Sequence, residues 1–287
     1  MLLDLNSELA LEKGFVLGMD DRDYRKAEGL CSSDLKILSK DPYLYFNEVR
    51  MPSNSAMNEG TLLHLLLNEP HKLDEKFFIR GESEGDVGDR IRMSYDAYAN
   101  ILECAEFVKE SLKSTLGIDL DAMDSEVSYF GEYEGRKAKC RADKLTKDRK
   151  SCFDIKKTAN ASTKEFLKQA CNLDYGIQSL FYRKLMGLDY FIWLAIEIKP
   201  LYHNGARIYR YNLLDTSERL DEVSQKKIDI ALRALEHREE FKSPIYPCED
   251  LRNHWELSEG EGWKKNLKSL EPPLWYMVWD GLFCGGY

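Results

Sequence analysis

Apolar positions in the first 120 residues recur with helical spacing. Residues 32–38 open with cap-forming side chains and continue with leucine and isoleucine, which predicts a short helix that ends near Pro42. A strongly apolar helix is expected over residues 62–67, and a longer one over residues 95–116. Residues 81–90 have no periodicity and predict an exposed loop.

From Glu126 the pattern changes to the period of two that is typical of strands. Three strands are predicted, followed by two helices, two strands and a charged amphipathic helix. The predicted ranges are 127–131, 137–143 and 152–156 for the strands, 162–170 (with a capping box of Ser162 and Glu165) and 175–185 for the helices, then 190–198, 206–213 and 216–241.

This order of elements predicts an α/β fold with a mixed central sheet flanked by helices. We interpret residues 1–287 as one domain with a helical N-terminal elaboration (1–120), an α/β core (121–215) and a C-terminal helix with an aromatic tail (216–287). The tail, PPLWYMVW at residues 272–279, either packs on the protein's own core or contacts a second subunit.

Composition narrows the class of protein. With 43% hydrophobic residues the chain can bury a large core, and it has no apolar run near the ~20 residues that cross a bilayer. Its first residues lack the basic and apolar regions of a signal peptide, so we expect a cytoplasmic protein without membrane association. The seven cysteines form no CxxC pair, which fits neither a disulfide framework nor a zinc knuckle, and we expect reduced, mostly buried thiols.

The formal net charge of -9 hides a cationic ribbon between Arg136 and Lys157. Basic residues crowd this segment, and the only acids in it are Asp143, Asp148 and Asp154. Such a ribbon is more often a solvated strand face than a nucleic-acid surface, and the pattern alone leaves both interpretations open.

Strand alternation brings ionisable side chains of opposite sign together. Asp143 lies at the end of a polar strand face, and Asp154 and Lys156 share one face of the next strand. Two close carboxylates repel each other unless a cation lies between them, and Mg²⁺ or Mn²⁺ suits carboxylate, water and phosphate oxygens. The lysine would then orient or help to deprotonate a water in phosphodiester hydrolysis. Taken alone, D-x-K is more often an exposed ion pair on a strand.

Five short motifs occur in a fixed order along the chain. They are SSDL at residues 32–35 with Tyr43 beyond, GTLLH at 60–64 followed by LLNEP at 66–70, RAD at 141–143, DIK at 154–156, and QSLFY at 178–182. Together they resemble the PD-(D/E)xK nuclease superfamily, in the RecB-like branch that includes RecE-type phage exonucleases (exodeoxyribonuclease VIII). The resemblance runs from about residue 32 to residue 198 and implies a restriction-endonuclease-like core. Ala142 stands where the first signature of the family has proline.

The resemblance implies a catalytic role for each residue of the two acidic motifs. Asp143 and Asp154 correspond to metal ligands, the carbonyl of Ile155 to a further ligand, and Lys156 to the lysine that activates water. His64 corresponds to the motif histidine, another metal ligand, whereas an isolated histidine on a leucine-rich helix would more often belong to the core.

Other positions correspond to residues that line the site or contact DNA. Gln178 and Tyr182, one helical turn apart, match the QxxxY motif of the catalytic site, although such a pair alone would be a helix surface. Candidate contacts for the 5′-phosphate of a DNA end are Ser33, Arg90, Arg92 and Lys157. Ser33 also fits a helix cap, and both arginines fit a solvated surface.

Two cofactors are not expected. Some relatives bind an iron-sulfur cluster through four cysteines, and Cys31 matches the first of these, but Cys248 and Cys284 do not supply the compact trio that would complete it. The chain also contains no GxxxxGK[ST] motif, so we expect no ATP-driven motor.

The function implied by the resemblance is a Mg²⁺-dependent exonuclease that digests double-stranded DNA ends from 5′ to 3′ and leaves 3′ single strands for recombination. Such enzymes of phage or prophage origin form ring-shaped homo-oligomers and act with a RecT-type single-strand annealing protein. An acidic exterior with a cationic strip near the site suits a ring. The alternatives are an endonuclease or single-strand-directed nuclease of the same superfamily, and a catalytically silent DNA-binding module.

Overall fold

The computed structural model describes residues 14–48, 55–83 and 85–238. Its central sheet has six strands in the order β1-β4-β5-β6-β7-β8. Neighbouring strands run antiparallel, except that β6 and β7 are parallel, so the predicted mixed sheet is confirmed. The strands are β1 (Phe15–Val16), β4 (Asp124–Tyr133), β5 (Arg136–Leu145), β6 (Ser151–Lys157), β7 (Tyr190–His203) and β8 (Ala206–Leu214), and a separate parallel pair consists of β2 (Phe77–Arg80) and β3 (Ile91–Ser94).

Helices lie on both faces of the central sheet. They are α1 (Asp21–Lys26), α2 (Ser32–Lys40), α3 (Pro42–Phe46), α4 (Ser55–Asn68), α5 (Leu73–Lys76), α6 (Tyr95–Leu116), α7 (Thr163–Asn172), α8 (Tyr175–Met186) and α9 (Glu218–Glu236). All the predicted helices are therefore present, and α6 has the expected bounds. Helix α4 begins earlier than its apolar run, because the pattern marks only its buried part.

The caps of two predicted helices differ in detail from the sequence expectation. Helix α2 is capped by Cys31, whose backbone N–H donates to Asp34 Oδ2 at 2.8 Å. At α7 the side chain of Ser162 makes no cap hydrogen bond. Glu165 pairs with Lys168 at 2.8 Å and does not reach back to the helix start. Both helices still begin where the pattern places them.

The sheet separates two hydrophobic cores. One lies under α2, α7, α8 and α9 and includes Leu35, Ala142 and Phe181. The other lies under α4 and α6 and includes Leu63 and Ile155. This arrangement of helices on both faces of a mixed sheet is the predicted α/β architecture.

The N-terminal part contributes strands as well as helices. Strand β1 extends the central sheet by pairing Phe15 with Tyr129, and Leu30 forms an isolated parallel bridge to Ala138 on β5. These contacts are too short to leave a period of two in the sequence, which is why the pattern predicts only helices there.

The described cysteines behave as the sequence predicts. They are Cys31, Cys104, Cys140, Cys152 and Cys171, all free thiols and, apart from Cys31, buried. Cys248, Cys284 and the aromatic tail at residues 272–279 lie outside the described residues. Among the described helices, none combines the length and apolar character that a bilayer crossing requires.

Candidate active site

The candidate site lies where β5 and β6 separate. Beyond their turn these strands pair only through Lys144 with Phe153 and Leu145 with Cys152. We call the gap that then opens between them the fork. Ile155 on β6 donates its backbone N–H across the fork to Asp143 Oδ2 at 2.7 Å. A carboxylate thus replaces the backbone acceptor that a continuous antiparallel pair would supply.

Other groups occupy the edge of β5 that faces the fork. The hydroxyl of Tyr182 donates to the carbonyl of Arg141 at 3.0 Å and accepts from its N–H at 3.4 Å. Farther along, Leu30 bonds to the carbonyl of Lys137 and to the N–H of Lys139, each at 2.9 Å. The backbone of β5 is therefore hydrogen-bonded while the fork stays open.

Three potential metal ligands converge on one side of the fork. His64 Nδ1 lies 3.2 Å from Asp143 Oδ2. Ligand atoms of His64, Glu126 and Asp143 all lie within 4.8 Å of one another. Each side chain is partly buried, and a nitrogen with two carboxylate oxygens is a donor set that binds divalent transition metals and, with added oxygen ligands, Mg²⁺.

Glu126 is the member of this cluster that the motifs missed. On β4 and β5, Ser125 pairs with Lys144 and Val127 with Ala142, which leaves Glu126 across from Asp143. Its backbone has φ 49°, a left-handed value that a non-glycine residue adopts at a cost of about 1–3 kcal/mol. The sequence signal for it is weak, since it consists of one acid at the start of a strand.

Asp154, Lys156 and Gln178 form a second group, in which the first two residues lie on β6 and Gln178 lies on α8. Lys156 Nζ lies 2.5 Å from Asp154 Oδ2. Gln178 Nε2 on α8 donates to Asp154 Oδ1 at 2.8 Å. Asp154 is buried, so the ion pair with Lys156 and the hydrogen bond from Gln178 stabilise a carboxylate that has lost nearly all its water.

The charges of the two groups influence one another. Burial acts to raise the pKa of Asp143, but His64, Lys156 and the Ile155 N–H hold it below its usual value. Burial raises the pKa of Asp154 despite the nearby Lys156. Burial acts to lower the pKa of Lys156, yet Asp154 and Asp143 raise it, so this lysine is charged at neutral pH.

The pKa values of Glu126 and His64 in the first cluster are also shifted. Burial raises the pKa of Glu126 to about 7, and the charge of Asp143 acts in the same direction. Burial acts to lower the pKa of His64, but its ion pair and hydrogen bond with Asp143 raise it. Protons therefore occupy this cluster near neutrality and would be displaced by a bound cation.

Comparison with known families agrees with this geometry. A family model described as a PDDEXK-like domain of unknown function (DUF3799) matches residues 43–192, which is just over half of the chain. The chain belongs to this PDDEXK-like family. The matched range includes His64, Glu126, Asp143, Asp154 and Gln178.

Two solved structures are similar to this chain to different extents. A protein from Eubacterium rectale, described as a candidate exonuclease, is 13% identical and aligns over 94% of this chain and 100% of that one, with a TM-score of 0.57. A phage-related exonuclease from Haemophilus somnus 129PT is 13% identical and aligns over 77% of this chain and 100% of that one, with a TM-score of 0.36. No curated protein matches the chain.

Within the PDDEXK-like core, Tyr182 contacts the backbone of the strand that carries Asp143. Its side chain is only 6% exposed, and its hydroxyl is engaged by the backbone of Arg141. Gln178, its partner in the motif, does line the site through Asp154.

The other predicted DNA contacts are distributed over several elements. Ser33 is exposed on α2, where its hydroxyl lies 2.9 Å from Cys31 Sγ. Arg90 donates to the carbonyl of Val87 at 3.2 Å and stacks over Phe78, so its guanidinium is directed at its own loop. The two remaining candidates are exposed Arg92 on β3 and Lys157, which pairs with Glu59 on α4.

The cationic ribbon of the PDDEXK-like core is not a uniformly solvated face. Lys139 is 7% exposed and donates to the backbone carbonyls of Tyr24, Arg25 and Ala27. Lys144 is 2% exposed and donates to Ser125 at 2.9 Å. Most of the others pair with acids, namely Lys137 with Glu28, Lys147 and Arg149 with Asp124, Lys150 with Asp189, and Lys157 with Glu59. Much of the positive charge is therefore compensated within the chain.

Proposed function

We propose that this protein is a divalent-metal-dependent nuclease that hydrolyses phosphodiester bonds from the ends of double-stranded DNA. The observation that carries the proposal is the fork. It brings a histidine and two carboxylates together and places a charged lysine with its carboxylate partner close to them. The PDDEXK-like fold supports the same reaction class.

The residues present fit a divalent metal ion. His64, Glu126 and Asp143 offer one nitrogen and two oxygens at close range. Ile155 adds its carbonyl, because the N–H and C=O of a strand residue face the same edge and its N–H already faces Asp143. We include Asp154, which the resemblance predicts as a ligand and which lies one residue before Ile155. When bound, the ion would neutralise charge on a phosphodiester and lower the pKa of a water.

Lys156 acts in this proposal as a hydrogen-bond donor. Its raised pKa favours the ammonium form, and its 2.5 Å ion pair with Asp154 fixes its position. An ammonium group held there orients the attacking water and stabilises the negative charge that develops on the phosphate oxygens. Gln178 fixes the orientation of the Asp154 carboxylate by donating a hydrogen bond to its other oxygen.

Exonuclease action with 5′-to-3′ polarity follows the resemblance to RecE-type enzymes. The Eubacterium rectale protein of the same fold, described as a candidate exonuclease, supports the exonuclease part of this proposal, while the polarity rests on the resemblance alone. We extend the proposal to a cytoplasmic enzyme of phage or prophage origin that forms a homo-oligomeric ring and acts with a RecT-type annealing protein. We also propose that residues 1–287 form one nuclease domain; the central sheet and both cores unite the described residues across most of that length.

The test is digestion of a linear duplex with 5′-phosphates in Mg²⁺, with a closed circular plasmid as a second substrate. We expect release of nucleotides from the linear duplex alone, and loss of that release in Asp143→Asn and Asp154→Asn. Nicking of the circle would favour the endonuclease alternative. The absence of cleavage with either Mg²⁺ or Mn²⁺, while DNA binding persists, would favour the silent binding module.

A further inference from the structure

Lys36 is a cation at the candidate site that none of the motifs identifies. It lies on α2, is half-buried, and donates from its Nζ to Gln178 Oε1 at 3.4 Å. Gln178 uses its other amide atom to hold Asp154. One glutamine therefore fixes Lys36 relative to the carboxylate of the DIK motif.

A second contact places Lys36 beside Lys156. Both ammonium groups lie over the ring of Tyr175, at 5.3 Å for Lys36 and 5.0 Å for Lys156. The ring of Tyr175 attracts both cations and so favours two like charges around one side chain. Positive charge is thus concentrated where the strands of the fork have separated.

The two lysines differ in how their charge is compensated. Lys156 has Asp154 at 2.5 Å, whereas Lys36 has only an amide oxygen and a ring among the contacts shown for the described residues. Burial, with the like charge of Lys156, lowers the pKa of Lys36 to about 8. Partial burial of a cation that has no carboxylate partner among these contacts costs free energy, and an incoming anion would offset that cost.

We infer that Lys36, oriented by Gln178 and Tyr175, binds a non-bridging oxygen of a DNA backbone phosphate at the candidate site. This inference rests on the proposed function and names a side chain that would neutralise the negative charge of a substrate phosphate. The phosphate is either the terminal 5′-phosphate or an internal one beside the cleaved bond. The chemistry is the same, and the substrates below distinguish them.

The test uses the full chain without metal, so that binding is measured apart from cleavage. Fluorescence anisotropy with a labelled duplex in EDTA, over a series of salt concentrations, compares the native protein with Lys36→Met and Lys36→Arg. Lys113→Met removes an equal charge from the exposed end of α6 and serves as the matched control.

We expect Lys36→Met to weaken binding by about tenfold or more, as for the loss of a charge-assisted hydrogen bond. The slope of log affinity against log salt should fall by about 0.9, the value for one duplex phosphate contact. Lys36→Arg and Lys113→Met should leave that slope unchanged. If Lys36→Met weakens the binding of a 5′-phosphorylated duplex but not of a 5′-hydroxyl duplex, the bound phosphate is the terminal one. An equal loss of affinity for both duplexes shows that the bound phosphate is internal.

A thermal unfolding scan separates this role from a structural one. Lys36→Met keeps the apolar stem and removes a half-buried charge, so the free protein should be as stable as the native one or more so. Unchanged affinity and salt slope in Lys36→Met would overturn the inference, as would a weakening that simply follows lost stability. A native protein that cleaves DNA while Lys36→Met binds normally would contradict this subsite and leave the nuclease function standing. Loss of binding in Lys36→Met, without any cleavage by the native protein, would support this subsite and contradict the nuclease function.

Discussion

Asn68 Nδ2 donates a 2.9 Å hydrogen bond to Glu126 Oε1. Asn68 and His64 are four residues apart on α4, so they lie on one helical face and each contacts one carboxylate of the candidate metal site. A single helix thereby orients both Glu126 and Asp143. Asn68 is only 8% exposed, and its Oδ1 has no hydrogen-bond partner among the described residues.

Replacing Glu126 with glutamine should weaken metal binding. The substitution keeps the size of the side chain and its contact with Asn68 but removes a charged ligand oxygen. We expect the affinity for Mn²⁺, measured by isothermal titration calorimetry, to fall by more than the roughly tenfold that follows loss of an outer-shell partner. Glu132→Gln, on the exposed part of the same strand, is the control. Equal affinities for native protein and Glu126→Gln would show that Glu126 is not a ligand.

Metal affinity should rise as the pH increases from 6 to 8. Burial and Asp143 raise the pKa of Glu126 to about 7, and the ion pair with Asp143 raises that of His64 against the effect of burial. Because a cation binds the deprotonated side chains, protons compete with it below these pKa values. Calorimetry at pH 6.5 in two buffers with different ionisation enthalpies should reveal proton release on Mn²⁺ binding. Binding that releases no protons at this pH would contradict the prediction.

Tyr182→Phe should reduce stability more than DNA binding. The lost hydroxyl leaves the N–H and carbonyl of Arg141 without the partner they have at the fork, which costs about 1–3 kcal/mol. Urea unfolding measures this loss, and anisotropy at a temperature where the variant is folded measures DNA affinity. Tyr202→Phe, at a residue that is largely exposed, should change neither. A variant of native stability with weakened DNA binding would instead favour the direct DNA contact that the QxxxY motif implies.

Asp174→Asn should destabilise the protein substantially. Asp174 is buried before α8 and pairs with Lys40 on α2 at 2.6 Å and Lys227 on α9 at 2.5 Å. Asparagine tolerates the left-handed backbone there, with φ 51°, so the change tests the charge alone. We expect a loss of about 3 kcal/mol in the free energy of unfolding. Asp189→Asn removes an exposed pair with Lys150 and should cost less than about 1 kcal/mol.

Local signals in the sequence were sufficient for the helices and for most strands. Helix α6 has the predicted bounds because Ser94 caps its start and Gly117 adopts a left-handed conformation at its end. The two acidic motifs fall on adjacent strands, as alternation predicts, because each strand has a buried face that fixes its orientation.

The residues of the site that the sequence does not predict are brought together by tertiary structure. Glu126 meets Asp143 only because of the register between β4 and β5, and no local pattern encodes that register. Lys36 and Gln178 are 142 positions apart in the chain and meet through the packing of α2 against α8. Composition identifies the cationic ribbon, but it does not reveal that two of its residues, Lys139 and Lys144, are buried.

The ammonium group of Lys139 has implications for how this protein can be divided. Its acceptors are main-chain carbonyls from residues 24–27, and no side-chain replacement within that segment would remove them. A fragment that starts after residue 27 would leave the buried ammonium group of Lys139 without these acceptors. Lys139 lies on β5, the strand that also carries Asp143. Trimming experiments and domain fusions should therefore keep helix α1, since its end supplies the carbonyls that bind this ammonium group of β5.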